Sequence, residues 1–208
     1  MPANDYKSAE RQFDAALRID PTNPEALVGK AGIPHSTEGT GEGLRQLSLV
    51  SGTDAASPEV LYNKALAMYQ MGLTDDAGTD LGTYAREHPN DAEAQNALGV
   101  VMLRAGNYAS AKAHLDRAIA LRPEQGEYYY NRANVLKEQK EFKAAIDDYT
   151  RAVAFIPDLA GAYINRGDVR FLLRETEGAC QDLKKACELG ECDRLNRYED
   201  AGRCRDFF

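Results

Sequence analysis

Apolar residues recur along this chain at helical spacing, in short stripes broken by turns, and the whole arrangement returns every 34 residues. Pro89, Pro123 and Pro157 lie 34 apart, and Pro21 lies 68 before Pro89. With each proline set at position 32 of a unit, other positions fall into phase. Position 8 reads Ala31, Ala65, Gly99, Ala133, Gly167, and position 20 reads Ala9, Gly43, Ala77, Ala111, Ala145, Ala179. Position 24 reads Phe13, Leu47, Leu81, Leu115, Tyr149, Leu183, and position 27 reads Ala16, Val50, Tyr84, Ala118, Ala152, Ala186. Each unit therefore holds two amphipathic helices. Small residues at 8 and 20 let the two backbones approach, and larger ones at 24 fill the space between neighbouring hairpins. Proline at 32 ends the second helix, because it lacks an N–H and clashes with the preceding turn. Asn23-Pro24-Glu25 and Ser57-Pro58-Glu59 read as helix starts. Second helices are predicted near 6–19, 42–50, 75–88, 109–121, 143–155 and 177–189, each but the first preceded by a first helix, with no strand anywhere.

This pattern resembles the tetratricopeptide repeat family over nearly the whole chain. The fit is best in Ala94–Pro123, where Leu98-Gly99, Met102, Gly106-Asn107-Tyr108, Ala111, Leu115, Ala118 and Pro123 stand at family positions. The resemblance implies an all-α, right-handed α-solenoid of about five and a half 34-residue repeats in one domain, 1–208, with a C-terminal capping helix. Its parts are a half repeat at 1–23, a degenerate repeat at 24–57, repeats at 58–91, 92–125, 126–159 and 160–192, and a cap and tail at 193–208. In 24–57 a first helix expected over 25–38 is interrupted by Gly32 and Pro34, and His35–Gly43 is rich in glycine. Two readings fit: a decayed repeat, or a loop that contacts a partner. Residues 5–21 match only a second helix, so its inner face is expected to be open. That suggests a chain trimmed upstream, or self-association through the uncapped half repeat.

The formal net charge is −8, divided as −3 over 1–57, −4 over 58–159 and −1 over 160–208. No basic block offers a footprint for nucleic acid or anionic lipid. No apolar run reaches the ~20 residues that span a bilayer. Acidic pairs such as Asp75-Asp76 and Asp147-Asp148 read as solvated helix faces. His35, His88 and His114 stand at unrelated repeat positions without metal or triad spacing, and Gly39–Gly43 follows no strand, so neither catalysis nor a cofactor is expected.

All four cysteines lie in the last 29 residues. Cys180 and Cys187 share a helix face but sit ~10 Å apart along the axis, too far to bond. Cys187–Cys192 spans a glycine turn, and a short antiparallel helix over 193–206 would bring Cys204 toward Cys180. This nested pairing is one of three connectivities; free core thiols and a zinc site are the alternatives. Residues 178–190 are similar to the last repeat of exported bacterial tetratricopeptide proteins. With paired cysteines, that implies a periplasmic or cell-surface location, against a cytoplasmic one.

The family resemblance also implies that positions 2, 5, 6, 9, 12 and 13 line a concave surface that binds a peptide or protein partner. Those residues include Tyr62, Asn63, Leu66 and Tyr69, then Asn96, Val100, Leu103 and Arg104. Further along they include Tyr130, Asn131, Asn134 and Lys137, and Ile164, Asn165, Asp168 and Phe171. Aromatic rings supply contact area, and amides can pair with a peptide backbone. Tyr130→Ala and Asn131→Ala are expected to weaken binding without loss of helix, and Tyr149→Ala to lower the melting temperature. The function expected is an interaction scaffold in a bacterial envelope or secretion assembly. A cytosolic co-chaperone or scaffold, or an accessory domain of a larger enzyme, are the alternatives.

Overall fold

Helices stop before Pro89, Pro123 and Pro157. The structure, a computed structural model, describes residues 3–31, 58–70 and 78–204. Among these the eleven elements are all helices: α1 (Ala3–Ile19), α2 (Pro24–Ala31), α3 (Pro58–Gln70), α4 (Thr79–Glu87), α5 (Ala92–Arg104), α6 (Tyr108–Leu121), α7 (Gly126–Glu138), α8 (Phe142–Phe155), α9 (Ala160–Leu172), α10 (Thr176–Glu188) and α11 (Asp193–Asp200). His88, Arg122 and Ile156 cap the second helices α4, α6 and α8, each directly before its proline. The Asn23 side chain accepts from Ala26 N at 2.9 Å and caps α2, and Asp91 caps α5 through Ala94 N at 3.2 Å. The second helix expected near 42–50, the cap at Ser57, the 35–43 segment and the pair Asp75-Asp76 lie outside the described residues.

Two compact units divide the chain, Met1–Gly106 and Asn107–Phe208. In the first, α1 packs on α2, α2 on α3, and α3, α4 and α5 on one another. Its core joins Leu27, Val28, Val60, Leu61, Ala65, Leu81, Ala85, Leu98 and Val101. In the second, neighbouring helices pack in order from α6 to α11, and α7 also touches α9.

The small and large positions behave as their physics requires. Ala111, Leu115 and Ala118 of α6, Ala145, Tyr149 and Ala152 of α8, and Ala179, Leu183 and Ala186 of α10 are all 0% exposed. A Cβ on Gly167 would meet Ala179 O at 3.2 Å and Leu183 Cδ2 at 3.3 Å, so α9 and α10 approach as closely as a glycine allows. In α1 the equivalent Ala9, Phe13 and Ala16 are only half-buried.

The turn between first and second helices needs a left-handed residue. Gly106 supplies it after α5 (φ 77°), but Lys140 (φ 63°) and Arg174 (φ 64°) supply it after α7 and α9. Each non-glycine residue there costs roughly 1–2 kcal/mol. The turns are held by backbone bonds from Glu141 N to Leu136 O at 2.8 Å and from Glu175 N to Arg170 O at 2.9 Å.

Candidate protein-interaction surface

In the second unit, α7 and α9 are the first helices of adjacent repeats, and position 6 and 9 amides meet between them. Asn165 Nδ2 donates to Asn134 Oδ1 at 3.0 Å and to the Tyr130 hydroxyl at 3.3 Å. The Tyr149 hydroxyl donates to the same Asn134 Oδ1 at 2.7 Å. Tyr149 is 0% exposed, so a fully buried second-helix side chain fixes the orientation of a surface amide. Burial pushes the Tyr149 hydroxyl far above its ordinary value, and Tyr130, Glu138 and Asp168 add to this, which keeps it a donor. Asn131 and Ile164, next in sequence to Tyr130 and Asn165, are half-buried on the same two helices.

Tyr130 is more than a surface anchor. Its ring lies 6.0 Å from that of Tyr149 and packs on the core of the second unit. A Cβ on Gly161 would come within 3.1 Å of the Tyr130 oxygen, so glycine makes room for it on α9. Tyr130→Ala therefore removes core contacts as well as surface.

Asp168 and Phe171 need a larger correction. The Phe171 ring stacks on that of Tyr198 with centroids 4.1 Å apart and planes 14° apart. Arg194 Nη2 lies 3.0 Å from Asp168 Oδ2, and the Tyr198 hydroxyl donates to Asp168 Oδ1 at 3.4 Å. Both residues are taken by the protein's own α11 rather than standing open. Burial raises the Asp168 carboxyl above its ordinary value, and Arg194, the Tyr198 hydroxyl, Lys137 and Arg197 only partly oppose it.

In the first unit Tyr62 packs partly buried against the core, so it too is only in part a surface residue. Asn96, Val100 and Leu103 are half-buried on α5, and Arg104 is exposed. The side chains of Asn63, Leu66 and Tyr69 lie outside the described residues.

Charged positions of the repeat hold a regularity of their own. Arg132, at position 7, grips Asp148 through Nε and Nη2 at 2.6 and 2.8 Å and reaches Asp116 of the preceding repeat through Nη1 at 2.7 Å. Arg166 does the same with Asp182 at 3.0 and 2.6 Å and with Thr150 at 3.0 Å. Lys64 pairs with Asp80, and Lys30 with Asp14 at 2.6 Å. Every one of these partners stands 16 residues from its cation. The hydrogen bonds to Asp148 hold the Arg132 guanidinium well above its already high value. Asp148 is 4% exposed, so it belongs to an internal ion ladder and not to a solvated face; its neighbour Asp147 is exposed. The ladder was legible in the recurrence of Lys30, Lys64, Arg132 and Arg166, which an apolar register does not include. Repeat 92–125 has Leu98 and His114 at positions 7 and 23 instead. Burial, with Arg117 beside it, lowers the His114 imidazole.

Cys180 is joined to Cys204 with Cα atoms 5.6 Å apart, and Cys187 to Cys192 at 4.0 Å. Among the described residues no group of three or more His, Cys, Asp or Glu side chains could hold a metal ion. No described helix is long and apolar enough to cross a membrane.

The sequence profile of the tetratricopeptide repeat matches residues 62–111 and 101–160. This chain is a tetratricopeptide repeat protein. A TPR repeat-containing thioredoxin, TTL4, from Arabidopsis thaliana is 36% identical over 110 residues, which is 53% of this chain and 16% of that protein. The chain thus spans about a sixth of the length of that relative. Among solved structures, MamA from Desulfovibrio magneticus RS-1 superposes with a TM-score of 0.58 at 20% identity, covering 96% of this chain and 99% of that one. The first TPR of Spaghetti (RPAP3), solved bound to the HSP90 peptide SRMEEVD, superposes with a TM-score of 0.50 at 26% identity, covering 53% and 91%. The MamA likeness is one of fold.

Proposed function

We propose that this tetratricopeptide protein binds an extended segment of a partner protein along the first helices α7 and α9. The observation that carries this is the orientation of the two amides. Asn134 Oδ1 and Asn165 Nδ2 are consumed inside the protein. What these bonds leave over is the Asn134 amino group, a donor, and the Asn165 carbonyl, an acceptor, on two half-buried residues of facing helices. Such a pair complements the C=O and N–H of a peptide unit, and because Tyr149 holds it in place, little ordering cost attends binding. Ile164 supplies apolar contact next to it. The peptide-bound relative supports a peptide ligand for this type of surface.

The two cysteine pairs support residence in an oxidising compartment, and an exported envelope or secretion assembly is the setting that we favour. A cytosolic scaffold, or an accessory domain of a larger enzyme, would use the same surface. Thiol counting on protein taken from its native compartment tests the setting: four free thiols there would exclude it.

The binding reading is tested by selecting ligands from a displayed library of random linear peptides against the whole chain. Asn131→Ala and Ile164→Ala should each weaken the selected peptides at least tenfold, with the circular dichroism spectrum unchanged. If those two variants bind like the parent while Lys143→Ala or Asp147→Ala, exposed on α8, abolishes binding, the partner uses the second helices and the assignment is wrong.

A further inference from the structure

α11 covers in the last repeat what α7 leaves accessible in the repeat before. Positions 9 and 12 are Asn134 and Lys137 on α7 and Asp168 and Phe171 on α9. Onto the second pair α11 lays Tyr198 and Arg194, four residues apart and so on one helix face, through the ring stack and ion pair described above. Yet α11 has little of its own to hold it there. It is eight residues long, too short to persist alone, and Leu195 is its one buried side chain. What fixes it is covalent: both cysteines of Cys180–Cys204 are 0% exposed, and the bond ties the chain just beyond α11 to the middle of α10.

We propose that α11 is an intramolecular occupant of the end of the interaction surface, latched by the Cys180–Cys204 disulfide, and that reduction by a dithiol opens Asp168 and Phe171 to a partner. This rests on the peptide-binding reading for what the opened surface would take. Cys187–Cys192 is half-buried and is reached first; its cleavage loosens the turn between α10 and α11. A thiolate of the dithiol then attacks one sulfur of Cys180–Cys204, the S–S bond breaks and a mixed disulfide forms. The second thiolate displaces the protein sulfur, leaving two cysteine thiols and the oxidised, cyclic disulfide of the reductant; the two protons pass from dithiol to cysteines. Opened, the site offers an aromatic ring beside a carboxylate.

Hydrogen exchange followed by mass spectrometry on the full chain tests this in four states: oxidised, treated with dithiothreitol, Cys180→Ser/Cys204→Ser, and Cys187→Ser/Cys192→Ser. Amides of 195–200 should exchange at least tenfold faster after dithiothreitol and in the Cys180→Ser/Cys204→Ser variant, with α8 unchanged and trypsin cutting first after Arg194 and Arg197. The Cys187→Ser/Cys192→Ser variant should keep the parent's protection over 195–200, with faster exchange confined to the turn between α10 and α11. If α11 stays protected once mass confirms that both bonds are gone, the stack and ion pair hold it unaided and the latch is wrong. If α8 loses protection together with α11, the bond is a structural staple, and the latch is again wrong. Should a serine variant fail to fold, the dithiothreitol arm on the natural sequence decides. Exchange needs no partner, so a failed peptide selection and a failed latch are told apart.

Discussion

Asp148 shows how little a residue's type says about its environment. It stands beside exposed Asp147 in sequence, yet it is buried with two hydrogen bonds from Arg132. Removing one member of a buried pair leaves the other charge without compensation, whereas replacing both with apolar groups is often neutral. Arg132→Ala should therefore cost about 3 kcal/mol in urea unfolding, and Arg132→Met with Asp148→Leu should recover most of it. Asp168 and Asp116 are opposite cases. Burial pushes the Asp116 carboxyl up, but hydrogen bonds from Lys112 and Arg132 outweigh it and leave the group below its ordinary value. Its contribution is present above the unfolded value and lost as pH falls through the lower folded one. Asp168 is raised above 3.8, so its contribution is fully present below that pH and is lost as pH rises through the folded value. Asp168→Asn should match or exceed the parent's stability at pH 7. The parent should lose ground to it as pH rises from below 3.8 through the raised folded value, as followed by chemical denaturation.

Between elements, helix propensity and packing oppose each other at the glycines, and the geometry says which wins. A Cβ on Gly126, at the start of α7, would fall 2.8 Å from Ile156 Cγ1 and 3.0 Å from the backbone Ala152 O. Backbone cannot yield as a side chain can, so Gly126→Ala should destabilise by about 1–3 kcal/mol although alanine is the better helix former. Gly82, inside α4, would place its Cβ in open space, and Gly82→Ala should stabilise by roughly 0.5–1 kcal/mol. Thermal melting of the two variants checks the pair. Opposite shifts are expected, and equal shifts would mean that propensity alone governs both sites.

For the whole molecule, stability in stacked repeats is built from each repeat and its neighbours, so it need not be uniform. The positions that are 0% exposed in α6, α8 and α10 are only half-buried in α1. Native-state hydrogen exchange should therefore find α1 opening more readily than α8 and α10, by an order of magnitude or more in protection. Equal protection across the three would mean that something covers the inner face of α1 in solution.

Among the described residues, the sequence by itself determined the helices, their phase and their close approaches, because these follow from local rules: proline lets a helix go no further, and small residues at positions 8 and 20 admit a neighbouring backbone. Pro89, Pro123 and Pro157 and the run Ala111, Ala145, Ala179 are enough to read them. The cysteine spacing excluded Cys180–Cys187 but left two connectivities open, since the rest of the pairing depends on where the tail folds back. Tertiary structure alone decided which face residues stay accessible. Tyr130 turned out to be half core, because Gly161 lets it lie against α9. Phe171 and Asp168 lie under α11, a helix from outside the repeat, and no repeat register can show what an extra element covers. Asp148 was buried by an arginine sixteen residues earlier, a pairing that exists only once two helices are laid side by side.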